Sequence, residues 1–375
     1  MTTTTTVPTM TTMPTMTTMN TPAPAPLAAS AAPPSAAAAL ASGATAVTVH
    51  QTARPHGFPT ASDFAFVTSP LPVPAAGTAL VENLYWSVDP YHREMMDGDF
   101  ALHAPLEGRT IGRVVASRAP SLAAGDLVFH RQGWRTHAVV APGEVRRLPR
   151  LEGVPLSAHL GILGGTGLTA YVGLTRIARL RAGEDLFVSA AAGGVGTATG
   201  RFARLLGAGR IVGSAGSAAK VAHLTETVGY DAAFDYHDGP ASELLAAAAP
   251  DGVDVYVDNV GGEQLEAAID GLRDRGRVVR VGTVAQYNSA RALAAPRNLS
   301  EIVEKSLRME GFLVRDYRDV QDELYAFAVP ALRDGRIGLD ETVVTGFERI
   351  VEAFLGMLRG ENVGKMLVRA AGAPE

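Results

Sequence analysis

The feature that most constrains this chain is a unit repeated after residue 185: a short apolar run, a glycine-containing turn, then a helix-forming stretch. DLFVSAAAGGVG leads into TATGRFARLLGA, RIVGSAGS into AAKVAHLTETVG, and VDVYVDNVGG into EQLEAAIDGLRDRG, followed by RVVRVGTV. Apolar strands that alternate with helices across short loops predict a parallel, doubly wound sheet, since parallel pairing needs a crossover and the helix provides it. From about residue 46 to 150 the texture differs. AVTVH, DFAFVT, TALVENLYWSV, RTIGRVVAS, DLVFH and THAVV are short apolar runs divided by Pro, Gly and Asp, the pattern of a small barrel or sandwich. After about 310 helix and strand mix again, and the terminal GKMLVRA reads as a strand able to return to the first lobe, which would make that lobe discontinuous in sequence.

A leader of another kind comes first. Residues 1–53 contain no Asp, Glu, Lys or Arg; Thr and Met dominate 2–20, Ala and Pro 21–42. A secretory signal would show a basic start and an unbroken apolar run, and a mitochondrial presequence would be rich in arginine, so the leader reads as a disordered tail or as a start codon placed too early. Its deletion is expected to cost no activity. No later window is apolar for long enough to predict a membrane span, and no period of 20–50 residues suggests a solenoid. The 33 basic and 38 acidic residues give a formal charge of −5, no field for a nucleic acid or an anionic membrane. Without cysteine there is no thiolate nucleophile and no sulfur-ligated zinc, and the nine histidines show no metal-binding spacing, so no metal is expected. A small-molecule substrate and a cytoplasmic location follow as expectations.

The glycine turn at 190–196 carries the chemistry. It reads Ala190, Gly193, Gly196, with Gly194 inside it, so the first glycine of a GxGxxG fingerprint is alanine. Glycines between strand and helix let the backbone approach a pyrophosphate, whose charge then meets the unpaired N–H groups of the helix start. Glycines also serve merely to pack helix on strand. Its place at the first strand-to-helix junction of the series favours a dinucleotide. NAD would call for an Asp or Glu about twenty residues on, yet no acidic residue occurs between Asp185 and Glu226. Ser217 and Lys220 stand there instead, a hydroxyl and an ammonium suited to a ribose phosphate. NADP is therefore the expected cofactor, with a solvated helix position as the other reading of Lys220, in a chain whose only lysines are Lys220, Lys305 and Lys365.

With these residues in place, the sequence resembles the medium-chain dehydrogenase/reductase superfamily, and within it the zinc-independent prostaglandin reductase and alkenal (curcumin) double-bond reductase branch. The resemblance runs from about 46 to 371. It rests on ENLYWSVDPYHREMM, GWRTHAVV, GGTGLTAYVGL, YVDNVGGEQLEAAI, VGTVAQYN and ENVGKMLVR, in the branch's order. It implies a GroES-like β-rich catalytic domain over 46–155, completed by 311–375, and a Rossmann NADP-binding domain over 156–310, after the leader of 1–45. Zinc-dependent relatives carry Gly-His-Glu where this chain has EGRTIGR, with Arg109 and Thr110. By the same resemblance Gly193, Gly194, Val195 and Gly196 would face the pyrophosphate. Ser217, Lys220 and Tyr236 would hold the 2′-phosphate, and Asn259, Gly282 and Asn362 would line the nicotinamide half. For Asn259 a plain turn role remains open. A homodimer through the edge of the Rossmann sheet is implied too.

The implied reaction is NADPH-dependent reduction of the C=C bond of enones or enals. It needs a donor where an oxyanion develops, and a neutral tyrosine hydroxyl suits that task. Tyr287, at a strand end, is the expected donor, with Tyr91 shaping the pocket or simply packed. His92 replaces the branch's usual Met; it is expected at the surface, with a proton relay beside Tyr91 as the alternative. Quinone reduction, or NADPH binding without catalysis, are the rival functions.

Overall fold

Strand order fixes where a ligand can sit, and in this computed structural model, which describes residues 1–2, 43–289 and 294–374, the strands fall into three sheets. The leader from 3 to 42 lies outside the described residues. All elements below belong to the unit Ala36–Glu375.

The first third is β-rich. β1 (Thr45–Gln51) and β2 (Phe64–Pro70) form an antiparallel pair. β3 (Ala79–Ser87), β4 (Thr110–Ser117), β5 (Leu127–His130), β6 (His137–Val140) and β7 (Arg146–Arg147) belong to a seven-stranded sheet with two strands from the far end of the chain. The short helix α1 (Tyr91–Met95) follows β3. β3 is buried at every position except Glu82, so that Asn83 and Ser87 go inside with its apolar residues, and Trp86 shares a core cluster with Val88, Trp134 and Phe354.

From α2 (Gly165–Val172) onward the chain alternates: β8 (Leu186–Val188), α3 (Gly194–Leu205), β9 (Ile211–Ala215), α4 (Ala218–His223), β10 (Ala232–Asp235), α5 (Ala241–Ala248), β11 (Val253–Asp258), α6 (Gly262–Gly271), β12 (Leu272–Arg280), α7 (Val284–Tyr287) and β13 (Arg308–Gly311). These six strands are all parallel, in the order β10-β9-β8-β11-β12-β13. The chain winds outward from β8 to β10, then back across β8 to β11 and on to the other edge. The order therefore reverses at β8 and β11, and the crevice outside their carboxyl ends is where a ligand binds in such sheets. Phe187 and Tyr256 stack at 4.9 Å on one face of this sheet, while Phe202 of α3 is buried on the other.

The last third returns. After α8 (Gln321–Arg333), β14 (Glu341–Thr345) and α9 (Ile350–Leu358), β15 (Lys365–Arg369) lies antiparallel to β3 and parallel to β14. The fold is thus a Rossmann-type parallel sheet joined to a β-rich N-terminal domain that takes strands from both ends of the chain. One local expectation fails: AQYN is not a strand end, because β12 stops at Arg280 and Tyr287 falls in the helical turn α7.

Candidate active site

A cleft of about 1140 Å³ opens at the reversal of strand order. Gly193, Gly194, Val195 and Gly196 form one wall, and Gly196 is sterically required. A Cβ there would stand 2.4 Å from the Ala191 carbonyl oxygen, so α3 approaches β8 only without one. Gly193 caps α3 with no side chain to satisfy its first N–H groups, which leaves them for an anion. Ala190, at the motif's first glycine, adopts φ 47°, a left-handed conformation that costs alanine about 1 kcal/mol. The turn is docked from outside: Gly364 N–H donates to the Ala192 carbonyl at 2.8 Å. Gly364 itself has φ +67° and no room for a side chain against Asp340.

The outer part of the cleft holds Lys220 and Tyr236. The Lys220 ammonium donates to the Gly360 carbonyl at 2.6 Å, and burial lowers its pKa from the ordinary lysine value. Tyr236, 46% exposed, lies over Gly216, where a Cβ would be 3.0 Å from its ring, and packs at 4.1 Å on His237. Glycine at 216, with no carboxylate after β9, leaves a cradle in which a ribose phosphate meets an ammonium and a phenol. Ser217 does not reach the cleft wall. Its hydroxyl accepts the Lys220 backbone N–H at 3.3 Å and caps α4, so it orders the lysine's helix. These residues fit a dinucleotide bearing a 2′-phosphate.

At the inner end stand Asn259, Tyr287 and Asn362. Asp258 builds the turn beyond β11: one carboxylate oxygen accepts from the Tyr256 hydroxyl and from the Val260 and Gly261 N–H groups, while the other pairs with Arg280. Asn259 is buried, and its side-chain amide donates to the Ser189 carbonyl at 2.8 Å. Asn362 donates to the Gly364 carbonyl at 2.7 Å. Gly282 is not on the wall; it lies behind the Tyr287 hydroxyl, which would be 3.5 Å from a Cβ there. Burial, then the carboxylate of Glu94, raises the Tyr287 pKa, so the hydroxyl stays protonated and able to donate.

The opposite wall departs from expectation. Tyr91 is half-buried outside the cleft lining; its hydroxyl donates to Glu107 at 3.3 Å and the Arg109 guanidinium sits 5.5 Å over its ring. His92 is not at the surface. It is 2% exposed, caged by Tyr91, Phe100, Trp134 and Phe354, and burial lowers its pKa to about 4. Its Nδ1 accepts the Asp89 N–H at 3.4 Å and its Nε2 has no hydrogen-bond partner among the described residues. A neutral, enclosed imidazole is no relay at neutral pH. What the sequence reading passed over is the pair that lines the cleft in their place, Asp89 and Lys365. Lysine scarcity was the available signal, since two of the three lysines face this cleft.

Comparison with known proteins accords with this geometry. Residues 48–148 match a family described as the N-terminal domain of oxidoreductase, and 194–329 one described as zinc-binding dehydrogenase. The chain has no cysteine, and among the described residues no three His, Asp or Glu side chains gather as a metal-binding set. Prostaglandin reductase 1 of Rattus norvegicus is 38% identical over 322 residues, covering 84% of this chain and 96% of that protein. The NADP(+)-dependent 2-alkenal reductase of Nicotiana tabacum is 37% identical, covering 83% and 94%. The crystal structure of CurA from Vibrio vulnificus in complex with NADPH superposes with a TM-score of 0.81 at 33% identity, covering 87% of this chain and 99% of that one. The chain belongs to the zinc-independent branch of the medium-chain dehydrogenases/reductases that contains the prostaglandin and alkenal reductases.

Proposed function

We propose that the protein, an NADP-dependent oxidoreductase of this branch, reduces the carbon–carbon double bond of α,β-unsaturated ketones or aldehydes. The observation that carries this reading is the Tyr287 hydroxyl, a neutral donor standing beside Gly282 in the same cleft as the glycine turn. Gly193, Gly194, Val195 and Gly196 would receive the pyrophosphate, Lys220 and Tyr236 the 2′-phosphate, with Ser217 ordering Lys220. Asn259 and Asn362 would border the nicotinamide, with Gly282 behind the tyrosine. When bound, NADPH supplies the hydride. As the β-carbon gains it, the alkene's electron pair moves toward the carbonyl oxygen, and Tyr287 donates a hydrogen bond to the enolate that forms. The α-carbon then takes a proton, for which water and a cofactor ribose hydroxyl are the two sources. Tyr91 stabilises the wall behind the acceptor through Glu107 and Arg109.

The test is NADPH oxidation against a panel of enals, enones, saturated ketones and quinones, with products identified by mass. Saturated carbonyls formed from conjugated alkenes alone support the reading. Turnover of quinones alone, or NADPH binding with no turnover, overturns it. Tyr287→Phe is expected to lower kcat about 100- to 1000-fold with unchanged NADPH affinity, since one oxyanion donor is lost. We further propose two lobes, 46–155 completed by 311–375 and 156–310, in a cytoplasmic homodimer. Support for the dimer comes from β13, a largely exposed outermost strand, and light scattering tests it. No described helix is long and apolar enough to cross a membrane.

A further inference from the structure

Lys365 touches both sides of the cleft. Its backbone packs on the glycine turn: a Cβ at Gly194 would be 3.3 Å from Lys365 Cα, and the preceding Gly364 N–H bonds to Ala192. Its buried ammonium crosses to the other wall, where it donates to the carbonyls of Val88 at 2.6 Å and Met366 at 3.0 Å and pairs with Asp89 at 3.2 Å. Asp89 is itself held by the Ser87 hydroxyl at 2.6 Å and by Arg109 at 3.4 Å. Val88, Asp89 and Pro90 line the cleft, and the helix that follows them, α1, packs against α7, which carries Tyr287.

Burying an ammonium and a carboxylate is poor stabilisation, because desolvation offsets most of their attraction. Apolar residues of the same volume would hold two strands together as well. An ammonium does what they cannot: its three N–H groups fix two carbonyls and a carboxylate in direction as well as distance. We propose that Lys365 is a positioning residue for hydride transfer, holding the acceptor-side segment 88–90 in register with the glycine turn that seats the cofactor. Asp89 is the counter-charge that keeps the ammonium pointed at that segment. The inference rests on the reductase reading for its chemistry, though the register it describes applies to any acceptor the cleft reduces.

A misregister of about 1 Å between reacting partners costs about 100-fold in rate. Lys365→Met is expected to lower kcat by about that factor while the NADPH dissociation constant, read by fluorescence, stays within about threefold. The Lys365→Met/Asp89→Asn double variant is expected to recover about tenfold of the loss, because the second change removes a buried carboxylate that has lost one of its two cationic partners. With deuterated NADPH the primary isotope effect on kcat is expected to rise in the single variant, as hydride transfer becomes slower than product release. Unchanged kcat, NADPH affinity lost in proportion to kcat, or no recovery in the double variant each overturns the proposal. Should Lys365→Met not fold, Asp89→Asn decides: kcat falls with NADPH affinity intact, or the proposal is wrong. Every variant is assayed on whichever acceptor the wild-type protein turns over, enone or quinone, so failure of the reductase reading shows in the wild type and failure of this inference only in the variants.

Discussion

The two walls of the cleft are made of different materials. At the glycine turn on the parallel-sheet side the wall is backbone: Gly193, Gly194 and Gly196 are there for what they lack, and a Cβ at Gly196 would run into Ala191. On the β-rich side the wall is built from charged side chains that should not be buried at all, Asp89 and Lys365 backed by Arg109. A steric wall is specified locally, within one turn of chain. An electrostatic wall is specified at a distance, since Asp89 and Lys365 are 276 residues apart and each is buried against the charge of the other.

Three measurements would break or sharpen that contrast. The largest effect is expected from Gly196→Ala, where the obstacle is main chain and cannot give. Stability should fall by about 3 kcal/mol in urea unfolding, with NADPH affinity lost. A wild-type unfolding curve would show that the turn has slack and that the wall is not steric. Next comes Lys220→Ala, which removes a charge-assisted contact of about 2 kcal/mol and should weaken NADPH roughly 30-fold while leaving NADH unchanged. Equal losses for both cofactors would mean that Lys220 holds the fold through Gly360, not a phosphate.

The smallest effect concerns His92. Its folded pKa of about 4 lies below the ordinary histidine value of 6.5, so between those values the unfolded chain binds the extra proton. Stability from this group is complete above pH 6.5 and is lost as pH falls toward 4. His92→Met should therefore gain about 1 to 2 kcal/mol over the wild type at pH 5 relative to pH 7.5. Part of the acid sensitivity will persist, because burial also lowers His130 to about 3 and His159 to about 4. An identical pH slope in the variant would place His92 in contact with water.

The same contrast explains what was legible in the sequence. The parallel sheet and its glycine turn could be read from period and spacing, because a strand, a turn and a helix occur together within twenty residues. Lys220 could be read from an absence, the missing acid after β9. The return of the last strand to the first lobe showed as an apolar run. His92 could not be read: its ring is enclosed by Trp134 and Phe354, and nothing in VDPYHREMM announces partners so far along the chain. Tyr91 and Tyr287 both lie in motif segments, yet one faces Glu107 and the other the cleft, a difference that no local spacing carries. Tyr287 belongs to a segment that the resemblance puts at a strand end, yet the chain there has already left the sheet and turned into α7.

The insertion of β15 between β14 and β3 sets an order of assembly during translation. All six parallel strands leave the ribosome before the codon for Lys365 is read, so that sheet can close while the nascent chain is still tethered. The N-terminal sheet has had its first strands waiting since residue 79 and stays unfinished until the last segment emerges, a pairing of high sequence separation and hence slow. A chain released early, just short of β15, would own the glycine turn and Tyr287 and still lack Lys365 and Met366 from the lining of the cleft.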